Sequence, residues 1–173
     1  MPQDVDPEMI DGAEIHFGNY LQNNGNNNPL CAVMSSYPTW EVMAFQCRGI
    51  KGRYVNVFLQ GSNKQLSLYE VEVNVGSRPE NAATGGRAGQ SSQWDKFGDA
   101  NNVIDLNWTN RYLEGSCSHT KDIDPWWRVD MSKTRTVTYV TITNRGDYCS
   151  DRISGAEIHV GDSLFNKDNS NPQ

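Results

Sequence analysis

The stretch LSLYEVEVNV, Leu66 to Val75, decides the architecture. From Tyr69 onward it alternates: Tyr69, Val71, Val73 and Val75 fall on one face of an extended chain, and Glu70, Glu72 and Asn74 on the other, because successive strand side chains point to opposite sides. The pattern predicts a strand of an antiparallel sheet with one packed face and one wet face. YVNVFL (Tyr54 to Leu59) and TVTYVTIT (Thr136 to Thr143) show the same β-branched bias, whereas helical periodicity is scarce. Between such runs lie QNNGNNNP (Gln22 to Pro29) and GDANNVIDLN (Gly98 to Asn107), whose side chains bond local backbone and tolerate left-handed turns. The expected fold is all-β, an antiparallel sandwich. GSRPENAATGG, Gly76 to Gly86, is the most linker-like segment and reads as a boundary.

The 173 residues suffice for one domain with a real core. Fifteen Lys and Arg against 21 Asp and Glu leave a net charge of -6, which repels phosphate backbones and anionic surfaces, so no nucleic-acid partner is expected. No apolar run approaches the roughly 18 to 20 residues that span a bilayer, and MPQDVDPEMI lacks the parts of a signal peptide. A soluble chain without membrane insertion is expected. Cys31, Cys47, Cys117 and Cys149 are too widely spaced for a zinc ribbon, and an even count in a loop-rich chain suggests two disulfides and an extracellular setting. The sequon at Asn107 fits secretion.

Several constellations carry chemistry. NRGDYCSDR, Asn144 to Arg152, sets Arg145 and Arg152 on either side of Asp147, with Tyr148 and Cys149 between. Two guanidinium groups donate many hydrogen bonds in fixed geometry and accept none, which suits a ligand rich in acceptor oxygens such as a sugar; a surface salt-bridge loop is the plainer alternative. The RGD tripeptide alone is weakly informative. His119 lies in a loop held by Cys117, and no metal-ligand spacing or nucleophile motif accompanies it. Asn102, Asp105 and Asn107 are hard oxygen donors close in sequence, readable as a turn cluster or as part of a calcium site. In DPWWRVDM, Asp124 to Met131, adjacent tryptophans face opposite sides, so one fills the core while the other covers a sheet edge or stacks on Arg128.

Together, ENAATGGRAGQSS, NNVIDLN, GSCSHT, PWWRVDM, VTITNRGDYCSDRISGAEIHVG, GRYVNVFL and LYEVEVNV resemble the F-type lectins, or fucolectins, over most of the chain. The resemblance implies a β-jelly-roll that binds L-fucose through His119, Arg145 and Arg152, with Asp147 orienting the arginines. It implies an apolar pocket for the fucose methyl from Tyr112, Leu113 and Trp94, flanked by Tyr148 and Cys149. It also implies a structural calcium held by Asn102, Asp105, Asn107, Ser116 and Glu70, partly through backbone carbonyls. Cys31 and Cys47 match a family disulfide. The family's vicinal cysteine pair is reduced here to Tyr148 and Cys149, and the usual partner of Cys117 is replaced by Tyr69. Cys117 and Cys149 are therefore expected to pair with each other.

The order departs from the family. Residues 1–77 resemble the second half of the family domain, 78–86 form a junction, and 87–173 resemble the first half. The strand GAEIH accordingly occurs twice, at Gly12 to His16 and at Gly155 to His159. Only the second copy carries the arginines, because Met9 stands where Arg152 would be. The chain is thus circularly permuted or out of phase with the family domain, and it closes on itself or exchanges a strand or half-domain with another copy. The expected function is non-catalytic: a secreted, calcium-stabilised lectin for L-fucose and fucosylated glycans. A structural or adhesion β-sandwich that binds protein and has lost the sugar is the alternative.

Overall fold

The computed structural model describes residues 28–34, 42–61, 65–76, 80–109, 111–121, 123–144 and 149–162. Eight strands follow in chain order: β1 (Leu30–Val33), β2 (Val42–Phe58), β3 (Ser67–Leu68), β4 (Glu70–Val75), β5 (Arg87–Gln90), β6 (Ser118–His119), β7 (Trp126–Thr143) and β8 (Glu157–Gly161). Three short 3-10 turns, Ala100–Val103, Tyr112–Glu114 and Ser150–Ile153, interrupt the loops. The fold is the all-β antiparallel sandwich expected from the alternating runs.

Two long central strands organise it. DPWWRVDM runs through SKTR into TVTYVTIT without a break, so β7 absorbs both sequence runs, with Ser132 in the left-handed region (φ 67) where the strand turns. β2 pairs with β7 from Val42↔Thr143 to Phe58↔Trp126, and its register shifts twice, between Gln46 and Ile50 and between Gly52 and Tyr54. Arg48 (φ 50) and Gly49 (φ 75) sit at the first shift, as bulges that bend a strand do. β5 pairs with the first half of β7 and β4 with the second, while β8 pairs with the second half of β2 and carries β1 on its far side. Strands bent in this way belong to two layers at once, and one apolar cluster serves both. Val55, Val57, Trp127, Val129, Ile158 and Val160 from one region meet Val71, Val73, Val140 and Ile142 from the other. β3 and β6 form a separate two-stranded ribbon.

The alternation in β4 holds for its apolar residues: Tyr69, Val71 and Val73 are fully buried and Val75 nearly so. The opposite face is not wet. Glu70 and Asn74 are also buried, because the loop Ala100–Leu106 and the turn after Glu80 cover that side. Residues 80–86 depart in the same direction from the expected linker. Asn81 Oδ1 accepts from the Val73 and Ala83 amides (3.0 and 3.1 Å), the Ala82 amide reaches the Val73 carbonyl (2.7 Å), and Ala82 and Ala83 enter the core. Residues 80–86 form a packed turn.

Of the paired tryptophans, Trp127 is fully buried and Trp126 half-buried, with the Arg128 guanidinium 5.0 Å above the Trp126 ring centre. Trp127 donates its indole N–H to the Ala100 carbonyl (2.9 Å). Trp127→Phe should therefore lower unfolding free energy by about 2–4 kcal/mol in a urea titration, combining lost core volume with a stranded carbonyl. Trp126→Phe should cost less than about 1.5 kcal/mol by the same measurement.

Candidate functional site

His119 is the centre of the best-defined polar cluster. It lies in β6, is 5% exposed, and pairs across the ribbon with Ser67. The Trp94 ring stacks on it (centroids 5.5 Å apart, planes 15° apart), and the Tyr112 ring meets it edge-on at 5.2 Å. Backbone bonds fix this arrangement: the Trp94 amide donates to the His119 carbonyl (2.8 Å) and the His119 amide to the Gly98 carbonyl (3.3 Å). Gly98 is required, since a Cβ there would lie 2.9 Å from the His119 Cβ.

Tyr112 donates its hydroxyl to Asp95 Oδ1 (2.5 Å). That bond holds the Asp95 carboxyl below the usual carboxylate range, with a smaller contribution from the Phe97 amide. Phe97 meets the Tyr112 ring edge-on (6.3 Å) under the Lys96 ammonium (4.9 Å). Asp95, Phe97 and Gly98 were not singled out from sequence; the signal was WDKFG, Trp94 to Gly98, directly after the expected pocket tryptophan.

The structure brings Trp94, Tyr112 and His119 together, with Leu113 beside Tyr112 in the same 3-10 turn. Trp94 is 51% and Leu113 75% exposed, so these two form an open apolar rim rather than a closed pocket. Arg152 is half-buried in the Ser150–Ile153 turn, which packs against β3, the strand paired with the one that bears His119. Cys149 opens that turn in the left-handed region (φ 55). Arg145, Asp147 and Tyr148 lie outside the described residues.

Cys31 and Cys47 form the expected disulfide. The expected Cys117–Cys149 bridge is not formed. Cys117 is sealed in the interior beneath the Asn102 loop, while Cys149 is partly exposed at the start of a different turn. Tyr69, which stands where the family has the partner of Cys117, fills its position as a fully buried ring.

Of the residues expected at a calcium site, Glu70 is the buried carboxylate, with the Asp105 charge and the Leu106 amide near it. This side chain is 1% exposed, and neither carboxylate oxygen makes a hydrogen bond of good geometry among the described residues. Its pKa is pushed up to about 8, chiefly by burial and then by the nearby Asp105 charge, against weak help from the Leu106 amide. A buried carboxylate facing a second one is costly unless a cation compensates it.

The other expected side chains are already engaged. Asp105 accepts from the Asn107 amide (2.8 Å) and Asn107 from the Thr109 amide (3.2 Å). Asn102 donates to the Phe97 and Cys117 carbonyls (both 2.9 Å), and Ser116 donates to the Thr109 carbonyl. Their remaining offers are mostly backbone carbonyls, as a hard cation accepts. Among the described residues no group of three or more His, Cys, Asp or Glu side chains converges, so any metal here would depend on those carbonyls together with Glu70 and Asp105. The buried Glu70 carboxylate is the feature that suits such an ion.

A family model described as NedA-like, galactose-binding domain matches residues 98–173. The relationship is narrower than that class. Fucolectin-4 of Anguilla japonica is 50% identical over 98 residues, covering 54% of this chain and 55% of that protein. Fucolectin of Anguilla anguilla is 45% identical over 103 residues, covering 57% and 65%. A pentraxin fusion protein of Xenopus laevis is 46% identical over 85 residues, 49% of this chain and 20% of that one. Over about half its length the chain is homologous to the fucolectins, the F-type lectin family; it spans between about half and two thirds of the length of the fucolectins it matches. No solved structure matches the chain.

Without a divalent cation, Glu70 is protonated in the folded chain up to about pH 8 and ionised in the unfolded chain above its ordinary value of 4.5. The unfolded state then binds fewer protons, so stability should fall as pH rises from about 4.5 to about 8 and level off beyond. Thermal melts in chelator across that window should show the decline, and Glu70→Gln should flatten it.

Proposed function

We propose that the chain is a non-catalytic lectin that binds L-fucose and fucosylated glycans. The observation that carries the reading is the buried His119 walled by Trp94 and Tyr112, with Leu113 at the rim. A deoxy sugar has a polar face of hydroxyls and an apolar methyl edge. His119, Arg145 and Arg152 supply donors to the oxygens, with Asp147 orienting the arginines, while Trp94, Tyr112 and Leu113 take the apolar edge. Tyr148 and Cys149 would flank the sugar between the two arginines. The homology to fucolectins over about half of the chain supports the same ligand.

Calcium is part of this reading. Glu70, with Asp105 and the carbonyls of Asn102, Asn107 and Ser116, would hold it, and it would supply positive charge that neutralises the buried carboxylate and fixes the Asn102–Ser116 loops beside His119. The disulfide at Cys31–Cys47 supports an oxidising, extracellular setting, and no described helix is long and apolar enough to cross a membrane. A single sugar contact buries little area, so useful avidity would come from several sites per assembly.

Calorimetric titration with L-fucose should show saturable binding that Arg145→Ala and Arg152→Ala each weaken by more than about tenfold. Trp94→Ala should weaken it about three- to tenfold, equivalent to roughly 1 kcal/mol of lost ring contact. Chelation should weaken it too. Folded protein that takes up no fucose in calcium would sink the reading in favour of a protein-binding sandwich.

A further inference from the structure

The slot between β1 and β2 is filled by β8, yet the sequence holds a second strand with the same side chains. ISGAEIHVG, Ile153 to Gly161, has its counterpart in IDGAEIHFG, Ile10 to Gly18. The slot makes specific demands. Ala156, Ile158 and Val160 are fully buried, and Ile158 and Val160 lie opposite Val57 and Val55. His159 is bound on one ring nitrogen by the Asn28 carbonyl and on the other by Glu157 (both 2.8 Å).

Glycine is required at both ends. Gly155 adopts φ 80 and donates its amide to the Met34 carbonyl (2.9 Å), and a Cβ at Gly161 would lie 1.9 Å from Asn28 Oδ1. Gly12, Ala13, Glu14, Ile15, His16 and Gly18 repeat every one of these residues, and Ile10 repeats the buried Ile153. The one change inside the strand is Phe17 for Val160. It is the larger side chain at a tight place, since Val160 Cγ1 lies 2.8 Å from where a Cβ on Gly52 would be. β8 pairs antiparallel with β1, with Leu30 opposite His159. His16 in that register would connect to Leu30 through residues 17–29, a length that an antiparallel connection accommodates.

We propose that Gly12–Gly18 is a second occupant of the β1–β2 slot within the same chain, and that its entry displaces β8. The two states bury the same residue types and differ mainly at Phe17 and Val160, the condition under which two packings of one sequence compete. Displacement has a consequence for the site. The Ser150–Ile153 turn is held through the buried Ile153 and the Ala156 amide bond to the Ile153 carbonyl (3.0 Å). The N-terminal copy has Met9 where Arg152 stands. Exchange therefore withdraws Arg152 from its place beside β3 and switches sugar binding off; this consequence alone rests on the fucose reading.

The test is a rescue. In Ile158→Asp, β8 cannot keep its buried position. Circular dichroism and thermal melts should still show a cooperatively folded protein, monomeric by light scattering, with fucose affinity reduced at least tenfold. Adding Phe17→Val, which makes the strands identical, should raise its melting temperature, and the double variant Ile15→Asp/Ile158→Asp should not fold. If Ile158→Asp and Ile158→Asp/Phe17→Val both unfold like that double variant, the N-terminal strand does not enter the slot and the proposal fails. Rescue only as a concentration-dependent dimer overturns it in favour of a strand donated by a second copy. If the wild-type chain binds no fucose, the sugar reading fails alone, because folding and mass report strand exchange without it.

Discussion

The pairing of β2 with β7 along their whole length is the constraint on which the rest depends. The two strands come from opposite halves of the chain, yet the large sheet is built on them: β8, carrying β1, pairs with β2, while β4 and β5 pair with β7. A long antiparallel pair must bend if it is to wrap a core, and left-handed residues at Arg48, Gly49 and Ser132 allow it. The bend lets Trp127 and Ile142, far apart along β7, contribute to one cluster. Because β2 and β7 lie far apart in the chain, their pairing also ties its two halves together.

From that core a short series of bonds leads to the candidate site. Trp127 fixes the Ala100 carbonyl, which starts the 3-10 turn containing Asn102. Asn102 ties the Phe97 carbonyl to the Cys117 carbonyl, and two residues later His119 bonds Gly98 and Trp94 through its backbone. The loops bearing Trp94, Tyr112 and His119 have little regular structure, so their rigidity comes from these buried side-chain bonds to backbone. A site on loops can be held to the precision that recognition needs when its supporting shell is locked in this way.

The strands were legible because their periodicity is local: alternation in Tyr69–Val75, β-branched runs at Tyr54 and Thr136, and a tryptophan pair that must split between two faces. What sequence could not supply was coverage. Nothing local to Glu70 and Asn74 says that the Asn102 loop folds over them, so a face predicted to be wet is buried. Residues 80–86 have linker composition, but Asn81 supplies a side-chain carbonyl to two amides and turns the segment into part of the sheet. The Cys117–Cys149 pairing failed for a related reason: counting leftover cysteines ignores where each loop packs. The site residues came from family resemblance; the residues alone suggested only donor-rich loops. Asp95, which orients Tyr112, was invisible because its role depends on a contact seventeen positions away.

Glu70 shows why this loop face matters. Burying a carboxylate with no cation beside it works against folding, and an apolar or amide side chain of similar size would suit the metal-free chain better. It lies in a strand otherwise filled with valines on its inner face, near a second carboxylate in a loop whose side chains are already committed. Local rules of sequence and structure agree along the rest of β4 and break here, and such breaks concentrate where a protein binds something. The charge that destabilises the isolated fold is the charge that would let a cation organise the Asn102–Ser116 loops. Those loops run directly into the strand that carries His119, so the same ion would stiffen the wall against which a sugar packs.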